Sequence, residues 1–149
     1  MMRDVLSCIP QSIELVHPSA DPLLVLQVAE DEVPVRFPIG VTKANVLISA
    51  LTLSEVEHGS VYTAVGAMLK QQGARNISVC LTELSAGEEP IAAVLYYDVG
   101  SQKIKVPFEV ADGIVLAVTQ NISLVITVSA AVLLGWTAQV IERRVDRQA

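Results

Sequence analysis

The chain has 149 residues, of which 52% are apolar and 17% charged, and its mean hydropathy is +0.51. A chain of this length buries roughly 70% of its unfolded surface as one domain, so it needs no disulfide or metal to hold a core. Ten basic against sixteen acidic residues give a net charge of −6, which argues against the basic face typical of nucleic-acid binders. The apolar excess predicts a large core, an apolar subunit interface, or a surface in contact with lipid.

The first third of the chain predicts three strands joined by turns. Residues 12–18, 22–30 and 33–40 are short runs rich in apolar and β-branched side chains, and Pro, Asp, Ser and Gly separate them. Consecutive short strands of this kind predict a meander.

Two helices follow the early strands. Thr42 is a good N-cap for a helix that ends near residue 59. A second helix is predicted over residues 61–73. Its apolar positions recur at helical spacing, at Val61, Val65, Met68 and Leu69.

The second half predicts strands with short helices between them. We expect a hairpin from residues 74–84 and 91–99, a strand over 103–108, a helix over 110–119 and a strand over 122–128. A terminal helix over 129–145 is expected to bury Val132, Leu133, Trp136, Val140 and Ile141. The order predicts a single α+β domain over residues 1–149, with a mixed or antiparallel sheet.

The tract from Gly113 to Ile141 holds no Asp, Glu, Lys, Arg or His, and it is long enough to span a membrane. The turn-forming cluster Thr119, Gln120 and Asn121 lies inside it, between a helical pattern and a β-branched run. We therefore predict two elements of a soluble core with no membrane association. Cysteines are few, with no disulfide or zinc pattern, and the first residues make a poor signal peptide, which favours the cytoplasm.

Three stretches carry a more specific pattern: VRFPIG, MLKQQGARNISVCLTEL and KIKVPFEVADGIVLAVTQNISLVIT. With the order of the elements, they resemble the bifunctional nuclease family, most strongly over residues 33–132. The resemblance implies metal-assisted hydrolysis of DNA or RNA phosphodiesters, with Mg²⁺ or Mn²⁺ as the helper ion. The polar motifs differ, because the family's Arg-Pro-Ser-Asp-Ala reads EVADG here at residues 109–113, its helix glutamate is Asn45, and its Thr-His-Asp is VYT at residues 61–63. A catalytically inactive relative that serves as a scaffold or regulatory partner is the alternative.

Asp112 is the family aspartate that this chain keeps, and Glu109 is the nearest second carboxylate. Phosphodiester hydrolysis needs carboxylates that hold a metal, or a base with a cationic clamp, so these two are the candidate catalytic residues. The alternative for Asp112 is an N-cap of the short helix, since a carboxylate at a helix start is favoured by the exposed N–H groups.

Other polar clusters are interpreted as solvated surface. The acids of residues 29–34 lack regular ligand spacing, and the carboxylates of the EVEH run at 55–58 lie two residues apart on a helix and so point away from each other; a metal site is the alternative for both runs. His17 lies in a turn, and the three arginines after residue 142 suit a helix end. The apolar composition predicts a homo-oligomer, with a dimer as the simplest form, because an isolated domain would expose large apolar patches.

Overall fold

The computed structural model describes residues 5–15, 20–29, 34–51, 61–83 and 91–136. These residues form an α+β domain, as predicted, in which helices pack on one mixed sheet. The strands are β1 (Val5–Glu14), β2 (Leu23–Val28), β3 (Val35–Pro38), β4 (Arg75–Glu83), β5 (Ile91–Val99), β6 (Gln102–Phe108) and β7 (Ser123–Thr127). The helices are α1 (Val41–Leu51), α2 (Val61–Gln71), α3 (Val110–Thr119) and α4 (Val128–Leu133).

The sheet has the strand order β3-β2-β1-β7-β4-β5-β6. Two antiparallel meanders, β1-β2-β3 and β4-β5-β6, are joined by β7, which runs antiparallel to β1 and parallel to β4. The meander predicted for the early strands is confirmed. The edge strand β6 carries Lys103, Lys105 and Pro107, which discourage pairing with another sheet.

Strand β1 begins earlier than the sequence predicted, at Val5 instead of residue 12. Its first residues alternate between exposed and more buried positions, with Ile9 exposed and Cys8 buried. The alternation is short and is interrupted by Pro10, and a proline usually argues against a central strand. Pro10 is tolerated because the register with β7 covers only Val5–Ser7, and the pairing with β2 shifts just after the proline.

The neutral tract divides at its polar middle, as predicted. Helix α3 ends at Thr119, and Asn121 adopts φ +54°, a left-handed conformation that Asn tolerates. The N–H of Ile122 donates to the carbonyl of Ala117 at 2.8 Å, which closes the helix end before β7 begins. Among the described residues, no helix has the length and apolar character needed to cross a bilayer.

Helix α3 is the most buried helix of the described part, with Ile114, Val115 and Leu116 fully covered. It lies close to the sheet at Gly113, where an added Cβ would be 2.4 Å from the Cβ of Ala93. Glycine is therefore required for this helix–sheet distance, and the contact fixes where the first turn of α3 lies.

Two predictions at helix ends were wrong. Helix α1 begins at Val41 and the Gly40 carbonyl accepts the N–H of Ala44 at 2.8 Å, so Thr42 is in the first turn and is not the cap. Helix α2 begins at Val61 as predicted, and of its apolar positions Leu69 is buried whereas Val61 and Met68 are exposed. The predicted last helix stops much earlier than expected.

Helix α4 ends at Leu133 because Gly135 adopts φ +100° and the Trp136 N–H donates back to the Ala131 carbonyl at 2.9 Å. Trp136 is buried, as predicted, whereas Val132 and Leu133 are exposed. Residues 137–149, with Val140, Ile141 and the arginines, lie outside the described residues.

Cys8 and Cys80 are both buried, and neither forms a disulfide. Cys8 on β1 and Cys80 on β4 are separated by β7, so their Cα atoms lie two inter-strand spacings of about 4.8 Å apart. This distance is longer than the ~7 Å that a disulfide can span between Cα atoms. Burial, with a smaller effect of Cys80, raises the pKa of the Cys8 thiol to about 12, so it stays protonated and unreactive.

Candidate functional site

A cleft of about 330 Å³ lies where the N-terminal turns of α1, α2 and α3 meet. Its walls are mainly apolar, from residues that include Val46, Val65, Phe108 and Leu116. Among the described residues, four polar side chains line it as well: Thr42, Lys43, Tyr62 and Asp112. The last three are bonded to one another and are called the polar triad below.

The polar triad is a closed set of hydrogen bonds. The Tyr62 hydroxyl donates to Asp112 Oδ1 at 2.7 Å, and Lys43 Nζ donates to the same hydroxyl at 3.1 Å. Lys43 Nζ also forms an ion pair with Asp112 Oδ1. Because the triad takes one residue from each of α1, α2 and α3, it joins three helices that are distant in sequence.

The pKa values of the triad follow from these contacts. Partial burial alone would raise the pKa of Asp112, but the hydrogen bonds from Lys43 and Tyr62 and the Lys43 charge outweigh it and hold that pKa below its usual range. The hydrogen bonds to Asp112 and Tyr62 raise the pKa of Lys43 above its usual range. Desolvation, with the Asp112 contact, raises the pKa of Tyr62. Asp112 is therefore ionised at neutral pH, Lys43 is protonated and Tyr62 is neutral.

Asp112 is not the N-cap of α3, contrary to one of the sequence-based interpretations. Glu109 occupies the cap position, with φ −61° and ψ 147°, and its side chain makes no cap hydrogen bond. Asp112 is the third residue of the helix, so its carboxylate still lies near the positive end of the dipole while it binds Lys43 and Tyr62.

The two predicted catalytic residues are not brought together around one site. Glu109 is exposed and does not line the cleft, whereas Asp112 does. The described part of the chain holds no group of three His, Cys, Asp or Glu side chains placed to bind a metal. Mg²⁺ and Mn²⁺ prefer several oxygen ligands, so the single carboxylate of the cleft, already bonded to a cation, does not fit such an ion.

Several sequence candidates lie outside the described residues. These are His17, the acids at positions 30–32 and the EVEH run at 55–58. Asn45 is exposed on α1.

Sequence reasoning missed Lys43 and noted Tyr62 only as a departure from a family motif. One signal was present for Lys43: a cation in the first turn of a helix opposes the dipole, and α1 has no acid in that turn to offset it. In the structure a carboxylate from elsewhere in the fold, that of Asp112, offsets this charge.

Comparison with known proteins does not identify a family: no protein-family model matches the chain, and no curated protein is similar to it. The function is therefore argued from the cleft and the polar triad.

Proposed function

We propose that this chain is a non-catalytic relative of the bifunctional nuclease domains and acts as a homo-oligomeric scaffold or regulatory partner. The observation that carries this proposal is the closed triad: Oδ1 of Asp112, at the one family position that is kept, accepts from both Lys43 and Tyr62. A carboxylate paired in this way is poorly suited to hold a metal or to take a proton from water.

The protonation states support the same conclusion. General acid–base catalysis works best when a group titrates near the working pH. In the triad, the pKa of Asp112 moves down while the pKa values of Lys43 and Tyr62 move up, so each moves further from neutrality. The triad is therefore suited to joining helices and not to transferring protons.

Oligomer formation is supported by apolar side chains on the outer faces of two helices. Val41 on α1 is 60% exposed, and Val61 and Met68 on α2 are 73% and 58% exposed. Exposed apolar groups at seven-residue spacing on a helix suit a helix–helix interface. We expect a dimer in sedimentation velocity at micromolar concentration, weakened by Met68→Glu, and a monomer of the unmodified protein would contradict this. Cys8 and Cys80, buried and not joined by a disulfide, support a cytoplasmic location as part of the proposal.

The test is a nuclease assay with Mg²⁺ or Mn²⁺ on single- and double-stranded DNA and on RNA. The unmodified protein, Asp112→Asn and Glu109→Gln are compared, because both substitutions remove one negative charge from the same end of α3. We expect no variant to exceed a mock purification. Activity that is lost in Asp112→Asn and kept in Glu109→Gln would overturn the proposal and establish the alternative, a metal-assisted nuclease. That alternative is favoured by one observation, the exposure of 26% of the Asp112 side chain beside the cleft.

A further inference from the structure

We propose that the cleft beside the polar triad binds a small uncharged molecule that has an apolar body and one amide-like edge with a hydrogen-bond donor next to an acceptor. This inference rests on the proposed function in one respect: the cleft is treated as a place of binding and not of hydrolysis. It goes further by assigning the chemical class of the ligand.

The size and walls of the cleft define the body of the ligand. A volume of about 330 Å³ lies at the lower end of the ~300–1,000 Å³ range of small-molecule sites. Val46, Val65, Phe108 and Leu116 give it branched and aromatic walls, which favour a compact apolar group such as a single ring.

The polar triad defines the head of the ligand. Lys43 has three N–H donors, and the contacts to Asp112 and Tyr62 use two of them. Lys43 and Tyr62 both contact Oδ1 of Asp112, so within the described residues Oδ2 of that carboxylate is an available acceptor. Lys43 and Asp112 thus offer one donor and one acceptor side by side, the complement of a primary amide.

Charge selects a neutral head over an ionic one. The charges of Lys43 and Asp112 cancel in their ion pair. An anionic head would meet the Asp112 carboxylate and a cationic head would meet the Lys43 ammonium, and a like charge at this distance is costly in a partly desolvated site. Neither repulsion acts on an amide.

The experiment is an NMR titration of the ¹⁵N-labelled full chain with three probes that share one ring and differ in the head group: benzamide, benzoate and benzylammonium. We expect benzamide to shift the amide signals of residues 42–46, 61–65 and 108–116 saturably, and the two ions to bind at least about tenfold more weakly. Val46→Phe fills the cleft and should abolish the response. Val125→Phe is the matched control, because Val125 lines a separate cavity on the opposite face of the sheet. If Val46→Phe does not fold, Thr42→Phe at the exposed rim of the cleft replaces it.

The outcomes separate this inference from the proposed function. Equal or tighter binding of either ion, or no response to benzamide, would overturn the inference and leave the non-catalytic assignment unchanged. Nuclease activity that depends on Asp112 would overturn the proposed function whether or not benzamide binds.

Discussion

Two ion pairs in this protein use similar groups in different surroundings. Arg36 and Glu14 form a double hydrogen bond of 3.0 and 3.2 Å across the sheet, and their side chains are 47% and 41% exposed. Lys43 and Asp112 meet between helices, are 36% and 26% exposed, and share a third partner in Tyr62. The first pair has the better geometry, yet water competes for it and salt screens it. Surroundings therefore decide more than geometry, and the second pair is expected to matter more for stability.

The largest effect is expected for Asp112→Ala, which leaves Lys43 and Tyr62 half-buried without their shared acceptor. We expect a loss of about 2 kcal/mol in the free energy of unfolding, measured by urea denaturation. Glu109→Ala is the control on the same helix end, and it should change the free energy by less than about 0.5 kcal/mol because that side chain is exposed. Equal effects of the two substitutions would contradict the importance of the triad.

Acid should remove part of the same stabilisation. The folded pKa of Asp112 lies below its unfolded value of about 3.9, so the carboxylate stabilises the fold above that pH, and its contribution is lost as the pH falls through the folded pKa. Lys43 has a raised folded pKa, so its contribution is complete below about pH 10.4 and is lost only as the pH rises through the folded value. Urea midpoints between pH 2 and 7 should fall less steeply for Asp112→Asn than for the unmodified protein. Parallel curves would exclude a lowered pKa.

A smaller effect is expected for Tyr62→Phe, which removes one hydroxyl and keeps the ring. The loss of its hydrogen bonds should cost about 1 kcal/mol in urea denaturation. The double variant Tyr62→Phe/Asp112→Ala should lose less free energy of unfolding than the sum of the two single losses, because the two residues share a contact. Strict additivity would show that the hydroxyl does not act through Asp112.

The smallest effect is expected at the exposed pair. Arg36→Gln should leave the urea midpoint unchanged in 0.5 M NaCl, since exposed pairs are screened at this ionic strength. A shift larger than that of Tyr62→Phe under the same conditions would reverse the ranking of the two pairs.

Local chemistry explains why the fold was more predictable than the site. The turn at Asn121 and the order of helix and strand around it follow from residues that are neighbours in sequence. The early end of α4 depends on Gly135 adopting a left-handed conformation, which the run of apolar residues around it concealed. The first half of β1 was missed because Pro10 interrupts its alternation.

The polar triad could not be predicted in the same way, because its members lie far apart in sequence. Lys43 and Asp112 come together only because α1 and α3 pack side by side on the same face of the sheet. The contact at Gly113, whose missing Cβ allows α3 to approach Ala93, also has no local signature. Asp112 was identified from the resemblance, and its partners required the tertiary structure.

The most direct test of the central claim is the titration of the Asp112 carboxyl carbon, followed by ¹³C NMR in the unmodified protein and in Lys43→Met. The account predicts an Asp112 pKa below about 3.9 in the unmodified protein and a higher value in the variant, since Lys43 helps to hold it down. An Asp112 pKa at or above the ordinary value that does not respond to Lys43→Met would show that the carboxylate is not committed to the triad.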